Sequence, residues 1–90
     1  MVMQIQERLK DSSLAHLPVG VQARVISVQG ESPVARRLME MGVVPGAPVR
    51  VIKTAPLGDP LEIRVRGYHL ALRRTEALTI TVTAVTDEER

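Results

Sequence analysis

Few of the side chains in this sequence that could attack, titrate, ligate or carry charge stand at the spacings such chemistry requires. Lys53-Thr54 is the dipeptide with which a phosphate-cradling loop opens its helix, but that loop needs glycines upstream so that successive backbone N–H groups can face the phosphates. Here the pair ends a β-branched run without those glycines, so no P-loop chemistry is expected. The two histidines, His16 and His69, fall in a turn region and in a strand pattern, neither near a marked serine, whereas a hydrolytic triad needs nucleophile, base and orienting acid together. Zinc-type sites need paired His, Cys or carboxylate ligands, such as two histidines one helical turn apart, and no such pair occurs. Met39 and Met41 read as apolar filling and not as ligands for a soft ion. The sequence therefore predicts a binding protein that is not an enzyme and carries no cofactor.

Charge is the remaining candidate chemistry. Arg50, Arg64, Arg66 and Arg73 all fall on outward positions of strand patterns and could form one basic face. Barrels that bind single-stranded nucleic acid combine such a face with aromatic platforms for the bases, and this chain has one aromatic residue, Tyr68. The plainer reading is a solvated face whose charges also discourage edge-to-edge association, and nucleic acid is not the expected partner.

The elements that must position these residues follow from pattern. Ninety residues, 44% of them apolar and 24% charged, fit one small globular domain and not a disordered chain. The absence of cysteine excludes a disulfide framework and thiolate zinc sites and fits a cytoplasmic location. No apolar run approaches a membrane span, and the amino-terminal stretch has no export-signal pattern. The net charge is +2, a surplus that favours solubility and weak attraction to anions without naming one.

Residues 1–11 mix charge and apolarity without period and read as a flexible lead, and 87–90 (Asp-Glu-Glu-Arg) as an acidic tail; the domain is expected over 12–86. Ser12 or Ser13 can cap a short turn over Leu14 to Leu17, which Pro18 and Gly20 end. Val21 to Val28 is a β-branched strand. Ser32-Pro33, with Gly42 beyond Met41, brackets a helix over 33–41: an N-cap oxygen, a proline suited to the first position, a glycine suited to the left-handed stop. Val34, Leu38 and Met41 would share its buried face. Val44-Pro45-Gly46-Ala47 is a type II turn pattern, leading into a strand from Pro48 to Lys53. Leu61-Glu62-Ile63-Arg64-Val65-Arg66 alternates, Gly67 permits a tight reversal, Leu70 and Leu72 continue the pattern, and Leu78 to Ala84 alternates apolar residues with threonine. About five short strands with one helix between the first two indicate a mainly β fold, a small partly open barrel of SH3-like or OB-like size.

Against these elements, the stretch Arg37-Leu38-Met39-Glu40-Met41-Gly42-Val43-Val44-Pro45-Gly46 resembles the FeoA family, ferrous iron transport protein A, in which a helix ending in an Arg-Leu-x-x-Met-Gly-like stretch runs into a Pro-Gly turn. The resemblance continues through Ala55-Pro56-Leu57-Gly58-Asp59-Pro60-Leu61 and Val65-Arg66-Gly67-Tyr68-His69-Leu70-Ala71-Leu72-Arg73-Arg74, and spans roughly residues 13 to 85. It implies an SH3-like barrel and a small cytoplasmic accessory protein of bacterial ferrous iron uptake. That protein would bind the cytoplasmic part of the FeoB membrane GTPase transporter, reach the membrane only through that partner, and modulate it. Self-association is a further option. The resemblance does not imply iron carriage or nucleotide hydrolysis. The same domain type closes some metal-dependent repressors, so a metal-responsive regulatory domain is the alternative, with a nucleic-acid-binding barrel behind it. The expected partner surface is the helix and the two turns after it: Leu38, although it shares the predicted core face, and Met39, Val43, Val44 and Leu57, which flank turns and need not all fit inside so small a core.

Overall fold

A computed structural model of the chain describes residues 11–30 and 32–85; residues 1–10 of the expected lead over 1–11 and the acidic tail lie outside them. In chain order the elements are β1 (Asp11–Ser13), a 3-10 turn (Leu14–His16), β2 (Gln22–Val28), α1 (Pro33–Glu40), β3 (Pro48–Thr54), a second 3-10 turn (Pro56–Gly58), β4 (Leu61–Val65), β5 (Tyr68–Leu72), α2 (Arg74–Ala77) and β6 (Ile80–Ala84). One antiparallel sheet joins all six strands in the order β1-β6-β2-β3-β4-β5. The five expected strands are present. The sixth is β1, whose Asp11, assigned above to the lead, pairs with Thr83 of β6, so α1 lies between the second and third strands and not between the first two.

Alternation places one side chain in two inward. Leu61, Ile63 and Val65 of β4, Val49 and Val51 of β3, Ile80 and Val82 of β6 and Ala23 and Val25 of β2 form a single core with Leu14, Leu17, Leu38, Val43 and Leu72. Two bulges curl the sheet around it. Pairing skips Ile26 between Val25 and Ser27 of β2 and Ile52 between Val51 and Lys53 of β3, and an extra residue on one strand bends it and increases its twist. Ile26 is left 39% exposed as a result.

The helix begins and ends as its flanking residues require. Ser32 Oγ accepts the Ala35 N–H at 3.1 Å, with Pro33 in the first turn. At the other end Gly42 takes φ 103°, its N–H donates to Met39 O at 3.1 Å, and the Val43 N–H donates to Leu38 O at 3.0 Å. That pair of bonds is the Schellman arrangement, in which the residue after the glycine usually packs against the one whose carbonyl it caps. The buried stripe is Ala35 and Leu38, while Val34 is 39% exposed and Met41 half-buried. The expected face was therefore rotated by about one residue, because this short helix touches the core along a narrow line. Ser32→Ala should remove the cap and lower stability by about 1 kcal/mol. For a domain of this size the thermal midpoint should fall by about 4–8 °C, read by circular dichroism.

The short helix α2 was not anticipated. The Arg73 N–H donates to Glu76 Oε1 at 2.9 Å, and the Arg74 N–H donates to Asp59 Oδ1 at 3.0 Å. The second bond comes from fifteen residues earlier in the chain, so a local pattern could not reveal it.

Candidate partner-binding site

Among the described residues Leu57 is the most exposed of the large apolar side chains, with a relative exposure of 103%. The Gly58 N–H donates to Ala55 O at 2.8 Å and Leu57 has φ 71°, ψ 7°. Ala55-Pro56-Leu57-Gly58 is thus a type II turn with proline at its second position and leucine at its third, where the backbone favours glycine. A left-handed conformation costs an L-residue roughly 1–2 kcal/mol, and exposing a leucine forfeits its burial energy as well. The loop beneath it is firmly tied. The Ala55 N–H donates to Pro60 O at 3.0 Å, Asp59 holds the start of α2, and Arg74 Nη1 donates to Ala15 O at 2.6 Å. Arg74 thereby joins this loop and α2 to the first 3-10 turn, and a strained apolar tip stands on a fixed base.

The other expected contact residues divide. Met39, 41% exposed, lies on the outer side of α1, in a depression shared with Gly30, Ser32 and Arg36. Val44 is half-buried beneath the type II turn, which forms as expected: Gly46 has φ 91° and the Ala47 N–H donates to Val44 O at 3.0 Å. Val43 and Leu38 cannot serve as contacts in this conformation, because they are 0% and 4% exposed. The Schellman ending of α1 turns both inward. Nor do the helix and both turns form one surface. The first turn precedes β3 and the second follows it, and a seven-residue strand separates its ends by roughly 20 Å. Leu57 stands beside α2 and the first 3-10 turn, at the far end of β3 from Val44.

A groove of about 230 Å³ runs between α1 and β5, with Val34, Leu38, Met41, Leu70 and Leu72 in its wall and Arg37 and Glu76 also lining it. Sequence reasoning missed it because it depends on α1 lying against β5, two elements far apart in the chain.

The arginines also separate. Arg50, Arg64 and Arg66 share one cleft with Gln22, Pro48, Val49 and Gly67. Arg73 does not join them; it is the N-cap of α2. His69 is exposed on β5 directly opposite Arg64. His16 has its Nδ1 3.1 Å from Ser13 Oγ, the cap candidate of its own turn. Among the described residues no carboxylate hydrogen-bonds to that imidazole, so none of them supplies the orienting acid of a triad. No group of three or more His, Cys, Asp or Glu side chains among the described residues could hold a metal ion, and no helix among them is long and apolar enough to cross a membrane.

Comparison with known proteins places this fold. The family model described as the FeoA domain matches residues 12–84. The Fe(2+) transport protein A/Fe(2+) transporter FeoB fusion protein of Porphyromonas gingivalis is 39% identical over 69 residues, which are 77% of this chain and 8% of that protein. The chain thus spans under a tenth of that relative's length. The solution structure of the FeoA protein from Chlorobium tepidum is 46% identical and superposes with a TM-score of 0.78, covering 82% of this chain and 70% of that one. The crystal structure of Stenotrophomonas maltophilia FeoA complexed with zinc, described as a procaryotic SH3 domain protein, is 39% identical with a TM-score of 0.71, covering 78% and 87% respectively. The six-stranded curled sheet is accordingly SH3-like, and with the family match running from β1 to β6 the chain belongs to the FeoA domain family.

Proposed function

We propose that this protein is a cytoplasmic accessory factor of ferrous iron uptake that binds the cytoplasmic part of a FeoB-type membrane GTPase transporter and modulates it, and that it works by binding and not by catalysis. The observation that carries this reading is the fusion: in the Porphyromonas gingivalis relative, an Fe(2+) transport protein A and an Fe(2+) transporter FeoB form one polypeptide. Covalent linkage holds two modules at high effective concentration, an arrangement of use to modules that meet. Leu57 is the anchor this reading favours, since its exposure and its left-handed backbone both disfavour the free state and an apolar pocket on the partner would relieve the first.

Leu57→Gly separates the two roles. Glycine suits φ 71° without steric strain, so the variant should be as stable as the parent or more stable by up to about 1 kcal/mol. Its affinity for the purified cytoplasmic region of the transporter, read by biolayer interferometry, should fall about tenfold or more. Normal binding by the folded variant would remove Leu57 from the interface. If Met39→Ser weakens binding while Leu57→Gly does not, the surface lies on the outer side of α1. No binding by the parent chain at micromolar concentrations would end the proposal itself.

A further inference from the structure

The outer face of the sheet carries a feature the transporter reading does not use. Gln22, Arg50, Arg64 and His69 stand directly opposite one another across β2, β3, β4 and β5. Arg50 and Arg64 thus face each other as like charges, a pairing that weakens a sheet. Arg66 completes the group from the β4–β5 turn. That turn has two central residues, Arg66 at φ 50° and Gly67 at φ 89°, the two-residue hairpin whose first position prefers Asn, Asp or Gly. An arginine there is strained. Its stem also runs across the end of α1: a Cβ added at Gly42 would lie 2.9 Å from Arg66 Cδ, so the glycine that ends the helix also leaves room for this side chain. The one ion pair among the described residues is Lys53 with Glu62 at 3.9 Å, and it does not involve these arginines.

Local stability is thus given up in two ways, by like-charge pairing and by a left-handed arginine, and both bring arginines to the lining of one cleft of about 370 Å³. Guanidinium groups match carboxylate and phosphate oxygens with paired N–H donors. A single carboxylate needs one such fork; three forks from two strands and a turn suit a ligand with several anionic oxygens. We propose that this cleft binds a phosphate-bearing anion of the di- or triphosphate class, with Arg50, Arg64 and Arg66 as the charged contacts. The inference is independent of the transporter reading and survives its failure.

The test titrates the isotope-labelled full chain with inorganic tripolyphosphate at about 0.15 M salt, where diffuse attraction is screened within about 8 Å, and follows backbone and arginine side-chain NMR signals. Saturable one-to-one shifts centred on Gln22, Arg50, Arg64, Arg66 and Gly67 are expected. Arg50→Gln and Arg64→Gln should each weaken binding about tenfold without disturbing the rest of the spectrum, and Arg36→Gln on α1 should change nothing. Vesicles of phosphatidylglycerol, against phosphatidylcholine, separate the sources. Retention on the anionic vesicles that is lost in Arg64→Gln, with no saturable tripolyphosphate binding, would overturn the di- or triphosphate assignment, since that headgroup carries a single phosphodiester. Weak, unsaturable shifts spread over all arginines would overturn the proposal, as would binding of an Asp/Glu-rich peptide with neither phosphate probe bound.

Discussion

Ile63→Asp is expected to abolish folding. Ile63 is 0% exposed and sits mid-strand in β4, opposite Val51 of β3 on one side and Leu70 of β5 on the other. No polar or charged residue is buried among those described, so a carboxylate there would find no cation or donor. An unpaired buried charge either is desolvated at a cost of several kcal/mol or takes up a proton, which also costs free energy at neutral pH. Whole domains are stable by only about 5–15 kcal/mol, and a small one stands near the lower end. Losing the isoleucine's own burial adds roughly 2–5 kcal/mol. The variant should show collapsed NMR dispersion and no cooperative thermal transition, whereas Ile63→Val should fold and lose about 0.5–1.5 kcal/mol. A cooperative melt of Ile63→Asp within a few degrees of the parent would show that β4 does not face the core in solution.

Leu14→Ala should be the next most damaging, although Leu14 sits in a three-residue 3-10 turn with no pattern to mark it. It is 0% exposed, in a turn that packs on α2 and β6. Emptying a fully buried leucine site costs about 2–5 kcal/mol, the spread reflecting how far the surroundings collapse. For a domain of this size the thermal midpoint should drop by roughly 10–30 °C. Urea titration would separate lost stability from a change in the denatured state, since the former moves the midpoint at constant slope. Val19→Ala, five residues on and at a position 54% exposed, is the matched control and should shift the midpoint little. Equal effects at both positions would mean that the 3-10 turn is not docked in solution.

These two residues also mark how far the chain could be read in advance. Ile63 announced its burial, because Leu61, Ile63 and Val65 alternate with Glu62, Arg64 and Arg66, and strand periodicity assigns faces without knowledge of any neighbour. The ends of α1 were equally plain: Ser32, Pro33 and Gly42 act on the backbone within a few residues of themselves. So were the two turns with glycine at left-handed φ, at Gly46 and Gly67. The same local signals, in order, indicated a small β barrel and carried the resemblance to the FeoA family, which chose SH3-like over OB-like.

The candidate site was legible only in part. Leu57 and Met39 are exposed as expected, but Val43, also offered as a contact, is buried, and so is Leu38, which the helix pattern had already placed on the core face. A residue beside a turn can point either way, and the Schellman ending of α1 decided in favour of the core. Likewise Arg73 belonged by alternation with Arg50, Arg64 and Arg66, yet it caps α2, because the strand pattern stops at Leu72.

By itself the amino-acid sequence determined what depends on neighbours in the chain: strand faces, helix ends, turn types, and through their order the family. Tertiary structure decided what depends on partners far away. It made a strand of Asp11–Ser13 by supplying β6, capped α2 with Asp59, and displaced Ile26 and Ile52 into bulges. Each of these is a contact between segments whose separation along the chain carries no periodic signal, so only the folded chain could bring them together.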